Sequence, residues 1–287
     1  GDADQLPSVG PGAVLSEMIG CGVIPVIRLQ KIYRQSRGSR IATNASLIRN
    51  GNLSLEYGSD FRFVESSDLV NSADQIERIY LEEAERCGVD NVALLTPFRQ
   101  KTETGVTALN ERLRDKINPP SSEKTEAVFG KRCFRKGDKV MQIKNNYQLE
   151  WERKSRYGVT YDRGNGIFNG DTGVIEDINF FSEQMLVRFE DDRFVYYDFT
   201  QLDELELAYA ITIHKSQGSE YPAVLIPMFP GPRMLMNRNL LYTAVTRART
   251  CVCMVGLEDC FHEMAANESE QKRYSSLDLR IQEMDNL

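Results

Sequence analysis

Apolar residues recur at every fourth position at Ile76, Tyr80 and Ala84, between Ser72 and a stop at Gly88. That spacing places them on one face of a helix. Ser72 with Gln75 resembles a capping box, in which a hydroxyl and an amide serve the orphan amides of a first turn. The run Asn91 to Leu95 is short and apolar and ends at Thr96-Pro97, which predicts a strand that leaves into a loop. Leu109, Leu113 and Ile117 then stack at helical spacing until Pro119-Pro120. Further on, Ala223 to Pro227, Leu240 to Ala248 and Cys251 to Val255 predict strand, helix and strand. Alternation of this kind indicates an α/β domain built on a parallel sheet.

Between the two α/β stretches the pattern changes. Lys139 to Ile143, Thr172 to Ile178, Gln184 to Phe189 and Arg193 to Tyr197 are short, rich in β-branched and aromatic residues, and separated by Gly, Asn and Asp turns. They predict a small antiparallel barrel inserted at about residues 131 to 205, with its ends close together as inserted domains arrange them. Alternation along its strands favours core packing for Tyr196, Tyr197 and Phe199. The polar stretch Asn145 to Gly166, rich in Tyr and Arg, is expected to be a long loop.

At 287 residues and 41% hydrophobic composition, the chain can bury a substantial core, and its length suits one large domain carrying a smaller one. No apolar run approaches the roughly 20 residues needed to cross a bilayer, and no secretion signal opens the chain, so a cytoplasmic protein without a membrane partner is expected. The six cysteines contain no C-x-x-C pair, and neither disulfides nor a bound metal is expected. A formal charge of -7 opposes a nucleic-acid partner if read only as a sum. Its distribution weakens that objection. Glu258 to Leu287 holds eight acids and three bases, a net of -5, which leaves -2 for residues 1 to 257. Basic clusters at Arg28 to Arg40, Lys131 to Lys139 and Arg153 to Arg156 can line a positive channel, or simply be solvated surface.

Five short patterns carry candidate chemistry. In Gly1-Asp2-Ala3-Asp4-Gln5-Leu6-Pro7-Ser8-Val9, the Gln5 amide can donate to a phosphate oxygen and accept from a water at once. In Tyr33-Arg34-Gln35, the planar Arg34 guanidinium can make two parallel hydrogen bonds to a phosphoryl group. Ala93 to Arg99 ends a strand in a loop, so Thr96, Pro97 and Arg99 stand where ligands approach a parallel sheet. In Thr212-Ile213-His214-Lys215-Ser216-Gln217-Gly218-Ser219-Glu220, Thr212, His214 and Lys215 offer donors suited to a sugar-phosphate backbone. Gly218 permits close backbone approach, and Glu220 can accept from a ribose hydroxyl. In Leu241 to Arg249, Ala244 and Ala248 let a helix pack tightly, and Arg247 offers a guanidinium that could meet a phosphate. Each pattern alone also reads as an ordinary turn, strand end, structural histidine or solvated helix charge.

Taken in this order, the patterns resemble superfamily 1 DNA helicases of the RecD/TraA kind from motif III onward. The first is similar to motif III, the second to motif IV, the fourth to motif V and the fifth to motif VI. The resemblance implies a RecA-like parallel-sheet lobe, 2A, interrupted by an SH3-like barrel, 2B. Residues 1–24 would be a remnant of a first RecA-like lobe with a linker, 25–130 and 206–257 the two parts of 2A, 131–205 the 2B barrel, and 258–287 an acidic tail. It makes Gln5 a sensor of the γ-phosphate, Arg34 and Arg247 arginine fingers, and Tyr33, Gly218 and Glu220 nucleotide contacts. Thr96, Pro97, Arg99, Thr212, His214 and Lys215 become contacts to single-stranded DNA.

The implied cofactors are ATP and Mg2+, held mainly by the first lobe. The sequence contains no G-x-x-x-x-G-K-[ST] phosphate loop; its one Gly-Lys pair, Gly130-Lys131, is followed by Arg132. The acidic run Asp203-Glu204-Leu205-Glu206 reads as a solvated linker. The opening at Gly1 without Met is expected to be a cut, and the chain alone is expected to be inactive. Partners implied are the first lobe, single-stranded DNA and subunits of recombination, repair or conjugation, with 5′→3′ polarity inherited from the resemblance. A non-catalytic single-strand binding or adaptor module derived from a helicase is the alternative.

Overall fold

The structure is a computed structural model that describes residues 1–7, 10, 12–28, 39–66, 71–99, 103–130, 132–269 and 275–285. Tyr33, Arg34 and Lys131 lie outside the described residues. The chain forms two compact units, residues 1–69 with 220–287, and residues 70–219.

In the first unit, strands Phe61–Glu65, Ala248–Gly256 and Tyr221–Met228 pair in that order, all parallel. Seven of the eight residues of Tyr221–Met228 are buried, as expected of a parallel strand covered on both faces. Helices Arg40–Arg49, Arg238–Val245 and Glu258–Ala266 surround this core. The first was not anticipated from the sequence, although Ile41, Ala45 and Ile48 are spaced for a helix and all are buried. Ser39 caps it by accepting from the Ile41 amide at 3.3 Å, and Asp60 ties its start through the Arg40 amide (2.8 Å) and Nη1 (3.0 Å). The segment read as an acidic tail begins with a packed helix, since Cys260, Phe261, Met264 and Ala265 are buried.

In the second unit, helices Ser72–Cys87 and Val106–Ile117 accompany two parallel strands, Val92–Thr96 and Ala210–Thr212. The expected capping box is absent: the first helix starts after Asn71, and no side chain caps it. A seven-stranded antiparallel sheet follows the order Leu205–Leu207, Lys139–Gln142, Thr172–Asn179, Gln184–Phe189, Arg193–Asp198, Asn146–Lys154 and Thr160–Ile167. Phe134, Val140, Val187, Phe189, Val195 and Tyr197 fill its core. This is the α/β architecture with an all-β second element that the hydrophobic pattern implies.

Two expectations within this sheet are corrected. Asn145 to Gly166 is not a loop but mostly the paired strands Asn146–Lys154 and Thr160–Ile167. These strands bury few apolar side chains, Leu149 and Ile167 among them, so they lack the alternation that marks a strand. Trp151 stabilises the pair instead: it lies over Gly164, where a Cβ would stand 2.4 Å from its ring, and Arg153 stacks 5.3 Å from its centroid. Tyr196 is not core; it is 45% exposed and its hydroxyl accepts from Lys154 Nζ at 3.1 Å. Tyr197 is buried and donates to Gln142 Oε1 at 2.9 Å, while Phe199 is half-buried with its ring 4.7 Å from that of Phe129.

Gly256 ends its strand with φ +144°, and a methyl group there would stand 2.1 Å from the Met228 carbonyl oxygen. Gly256→Ala is therefore expected to lower stability by about 2 kcal/mol or more. A urea titration should show a lower midpoint at unchanged slope; an unchanged midpoint would contradict the role given to this glycine.

Candidate functional site

Two candidate residues of the first unit, Gln5 and Arg247, meet near the end of a helix. Asn237 starts helix Arg238–Val245 by accepting from the Leu240 amide at 2.9 Å. Residues Leu240 through Val245 are buried, so the helix is enclosed and its C-terminal end is fixed. Arg247 follows two residues beyond that helix rather than on it. It is only 5% exposed, and burial of a guanidinium is tolerated when its donors find acceptors. Nε donates to the Thr243 carbonyl at 3.2 Å and Nη2 donates to Gln5 Oε1 at 2.7 Å.

Gln5 is itself held from its other side. Its Nε2 donates to Asp2 Oδ2 at 3.0 Å, and the Tyr242 hydroxyl donates to the same oxygen at 3.0 Å. Burial, reinforced by the Asp2 carboxylate, pushes the Tyr242 hydroxyl up to about 12, so it remains a donor at neutral pH. The Leu6 amide donates to Thr243 Oγ1 at 2.9 Å. Gln5 and Arg247, 242 residues apart, thus meet directly. Asp2 and Tyr242 complete the network and were not singled out from the sequence; an Asp in a turn and a Tyr on a helix carry no local signal. Glu220, expected at a nucleotide, pairs with Arg249 Nε at 2.8 Å.

A second group lies in the other unit. Arg99, Glu206, Thr212 and Lys215 line a small cleft floored by Val106 and Met141. Asn110 fixes one wall: its Nδ2 donates to the Leu207 (3.0 Å) and Ala210 (2.8 Å) carbonyls, and its Oδ1 accepts from the Ala210 amide at 2.8 Å. Thr212 caps a short 3-10 turn by accepting from the Lys215 amide at 3.3 Å. His214 on that turn is exposed, and Gly218 beyond it adopts φ +87°, a conformation that favours glycine.

Thr96 and Pro97 are buried, and the Thr96 hydroxyl donates to the Thr104 carbonyl at 2.9 Å. These two residues shape the loop, whereas Arg99 beside them reaches the surface. The acidic run 203–206 is not a solvated linker. Glu204 accepts from Gln142 Nε2 at 2.8 Å, and Glu206 accepts from Lys215 Nζ at 2.9 Å, from Arg132 Nη2 at 3.3 Å and from Arg99. The basic cluster around Lys131 is also partly structural. Arg135 is buried against the Asn118 carbonyl and Glu126, and buried Lys139 donates to the Val89 and Asp90 carbonyls at 3.2 Å each. Among the described residues, no group of three or more His, Cys, Asp or Glu side chains is gathered that could hold a metal ion. Nor, among them, is any helix long and apolar enough to cross a membrane.

Comparison with known proteins follows the same segments. Residues 109–189 match the family described as the ATP-dependent RecD-like DNA helicase SH3 domain, residues 207–255 the UvrD-like helicase C-terminal domain, and residues 1–75 an AAA domain. The ATP-dependent RecD2 DNA helicase of Deinococcus radiodurans is 30% identical over 278 residues, covering 97% of this chain and 35% of that protein. The RecBCD enzyme subunit RecD of Mycobacterium tuberculosis is 28% identical over 308 residues, covering 98% of this chain and 48% of that protein. The crystal structure of Pif1 helicase from Candida albicans aligns with 91% of this chain and 60% of that one, at a TM-score of 0.48 and 15% identity. The chain spans 35% and 48% of the lengths of the two curated relatives.

The Gln5 to Arg247 contact is open to a double-mutant cycle. Gln5→Leu and Arg247→Leu should show a coupling energy of about 1 to 2 kcal/mol in chemical denaturation, because each change strands a partly buried polar partner. Strictly additive effects would mean that the two side chains do not sense one another.

Proposed function

We propose that this chain, related over nearly all of its length to RecD-type helicases, is a portion of an ATP-dependent DNA helicase. It completes the ATP site and grips single-stranded DNA, and the phosphates and Mg2+ are held chiefly by a first RecA-like lobe. The observation that carries the reading is the 2.7 Å bond between Gln5 and Arg247, residues of two separate motif-like segments joined in one partly buried network. An amide that both donates and accepts, set against a guanidinium, suits a site whose contacts must change when a γ-phosphate is present. The chain's own part is electrostatic. Arg247, with Arg34 assigned the same role by resemblance, would place positive charge where it develops during phosphoryl transfer. Tyr33, Gly218 and Glu220 would contact the nucleotide.

On the DNA side, Arg99, His214 and Lys215 are the exposed or half-buried donors, while Thr96, Pro97 and Thr212 hold the loops that present them. Contacts of this kind fix a strand's position without reading its bases. Cycles of closure and reopening against the first lobe would move these loops along the strand, with 5′→3′ polarity and a role in recombination and repair or in conjugative transfer.

In the protein that includes the first lobe, Arg247→Ala should reduce DNA-stimulated ATP hydrolysis by about 10³-fold or more while the protein stays folded. Purified residues 1 to 287, which contain no phosphate loop, should show no appreciable turnover. Normal hydrolysis by the variant would refute the arginine's role, and robust turnover by the chain alone would refute the division of labour.

A further inference from the structure

Glu206 is an unusual member of the cleft in residues 70–219. Its side chain is 18% exposed and receives three cations: Lys215 on Oε2 at 2.9 Å, and Arg132 at 3.3 Å together with Arg99 on Oε1. A single structural ion pair would need only one of them. Three positive charges converge on this one carboxylate in a chain whose formal total is -7, and Asp203, which also faces Arg132, is already paired with Lys144. The cations also differ in how they are held. Arg132 is anchored independently, since its Nη1 donates to the Asp203 and Leu205 carbonyls at 2.8 Å each, so its guanidinium would stay in place without Glu206. Arg99 has a side chain 52% exposed and is free to turn toward solvent. Lys215 lies on the turn Ile213–Ser216, its amide donating to the Thr212 cap at 3.3 Å.

A carboxylate and a phosphodiester present the same face to such a group: two anionic oxygens on one centre, which Arg binds as a planar fork and Lys as a point charge. Resting on the DNA-binding reading above, we propose that Arg99, Arg132 and Lys215 form a seat for one backbone phosphate of single-stranded DNA, and that the Glu206 carboxylate fills that seat until DNA displaces it. Glu206 then acts as an internal counter-anion. It prevents three cations from facing one another in the DNA-free chain, and it makes DNA compete for the seat, which weakens and regulates the grip. Arg132, which precedes the antiparallel sheet in sequence, becomes a DNA contact alongside the residues of the two motif-like loops.

The test is binding of a fluorescein-labelled oligo-dT to the full chain, followed by anisotropy at several salt concentrations, for wild type, Glu206→Gln, Lys215→Gln and the double variant. Glu206→Gln removes the competing charge at constant shape. It should bind about five- to tenfold more tightly. Its dependence of log K on log salt should steepen by about 0.7, the increment for one more phosphate neutralised on a single strand. Lys215→Gln should weaken binding, and combined with Glu206→Gln it should cancel most of the gain. Should circular dichroism show that Glu206→Gln does not fold, Glu206→Asp replaces it, keeping the charge but drawing the oxygens back, and is expected to bind more tightly than wild type by a smaller factor. Equal or weaker binding by the folded Glu206 variant, or a gain with no change in salt dependence, overturns the seat while leaving the DNA reading intact. If no protein in the series binds the oligonucleotide, the DNA reading fails and the seat with it.

Discussion

The bond from the Arg247 guanidinium to the Gln5 amide oxygen, 2.7 Å long, dictates much of what surrounds it. A guanidinium that is 5% exposed must have its donors met, and the geometry that meets them is narrow. Nε takes the Thr243 carbonyl while Nη2 takes Gln5, a division that requires the planar fork of Arg and is beyond a Lys ammonium. Gln5 must accept with its oxygen and donate to Asp2 with its nitrogen, which neither Glu nor Leu can do. Residues 2 to 6 must therefore lie along helix Arg238–Val245, where Leu6 finds Thr243 and Asp2 finds Tyr242. The choice of Asp, Gln, Tyr and Arg at these four positions is one decision.

The cleft around Glu206 follows the same rule at higher exposure. Charged donors accumulate where an acceptor answers them, and the acceptor belongs to the chain itself. Solvent reduces the worth of each such ion pair, to roughly 0 to 1 kcal/mol at an exposed surface. Weak pairs hold the cations in position without locking them. The buried Arg135 and Lys139 show the contrast: bonded to backbone carbonyls and enclosed, they belong to the architecture and are not available to a ligand.

Sequence carried the periodic elements well and the non-periodic ones poorly, for a reason visible in particular residues. Leu109 and Leu113, or the continuous run Ala223 to Pro227, report their structure because burial imposes the period. Asn146–Lys154 and Thr160–Ile167 are strands held by pairing, a Trp151 to Gly164 stack and cation–π contacts, none of which leaves an apolar alternation. Gln5 and Arg247 were each singled out from a motif-like segment, by residue type at a given spacing. Their direct contact was not legible, since nothing local encodes a meeting across 242 positions. Asp2 and Tyr242 escaped notice for a related reason: they meet each other across 240 positions. The run 203–206 was misread because a string of acids looks solvated until the cations that face it are known.

The negative total charge acquires a different meaning once partners are known. Glu206 stands against Arg99, Arg132 and Lys215, Glu220 against Arg249, and Asp2 holds the amide that engages Arg247. Arg99, Lys215 and Arg247 are groups that the resemblance assigns to a phosphate, and each of them has an acid that neutralises or steadies it. Formal charge counts these acids against an anionic partner, as though they filled a continuous negative field. A potential near a cleft depends on the nearest charges, because screening removes those beyond about 8 to 10 Å at ordinary salt. An acid that moves aside when a phosphate arrives does not oppose binding with its full charge; it sets the free energy that the phosphate must exceed. A chain of -7 is then compatible with a polyanionic partner, provided that its acids are held in ion pairs that an incoming phosphate can replace.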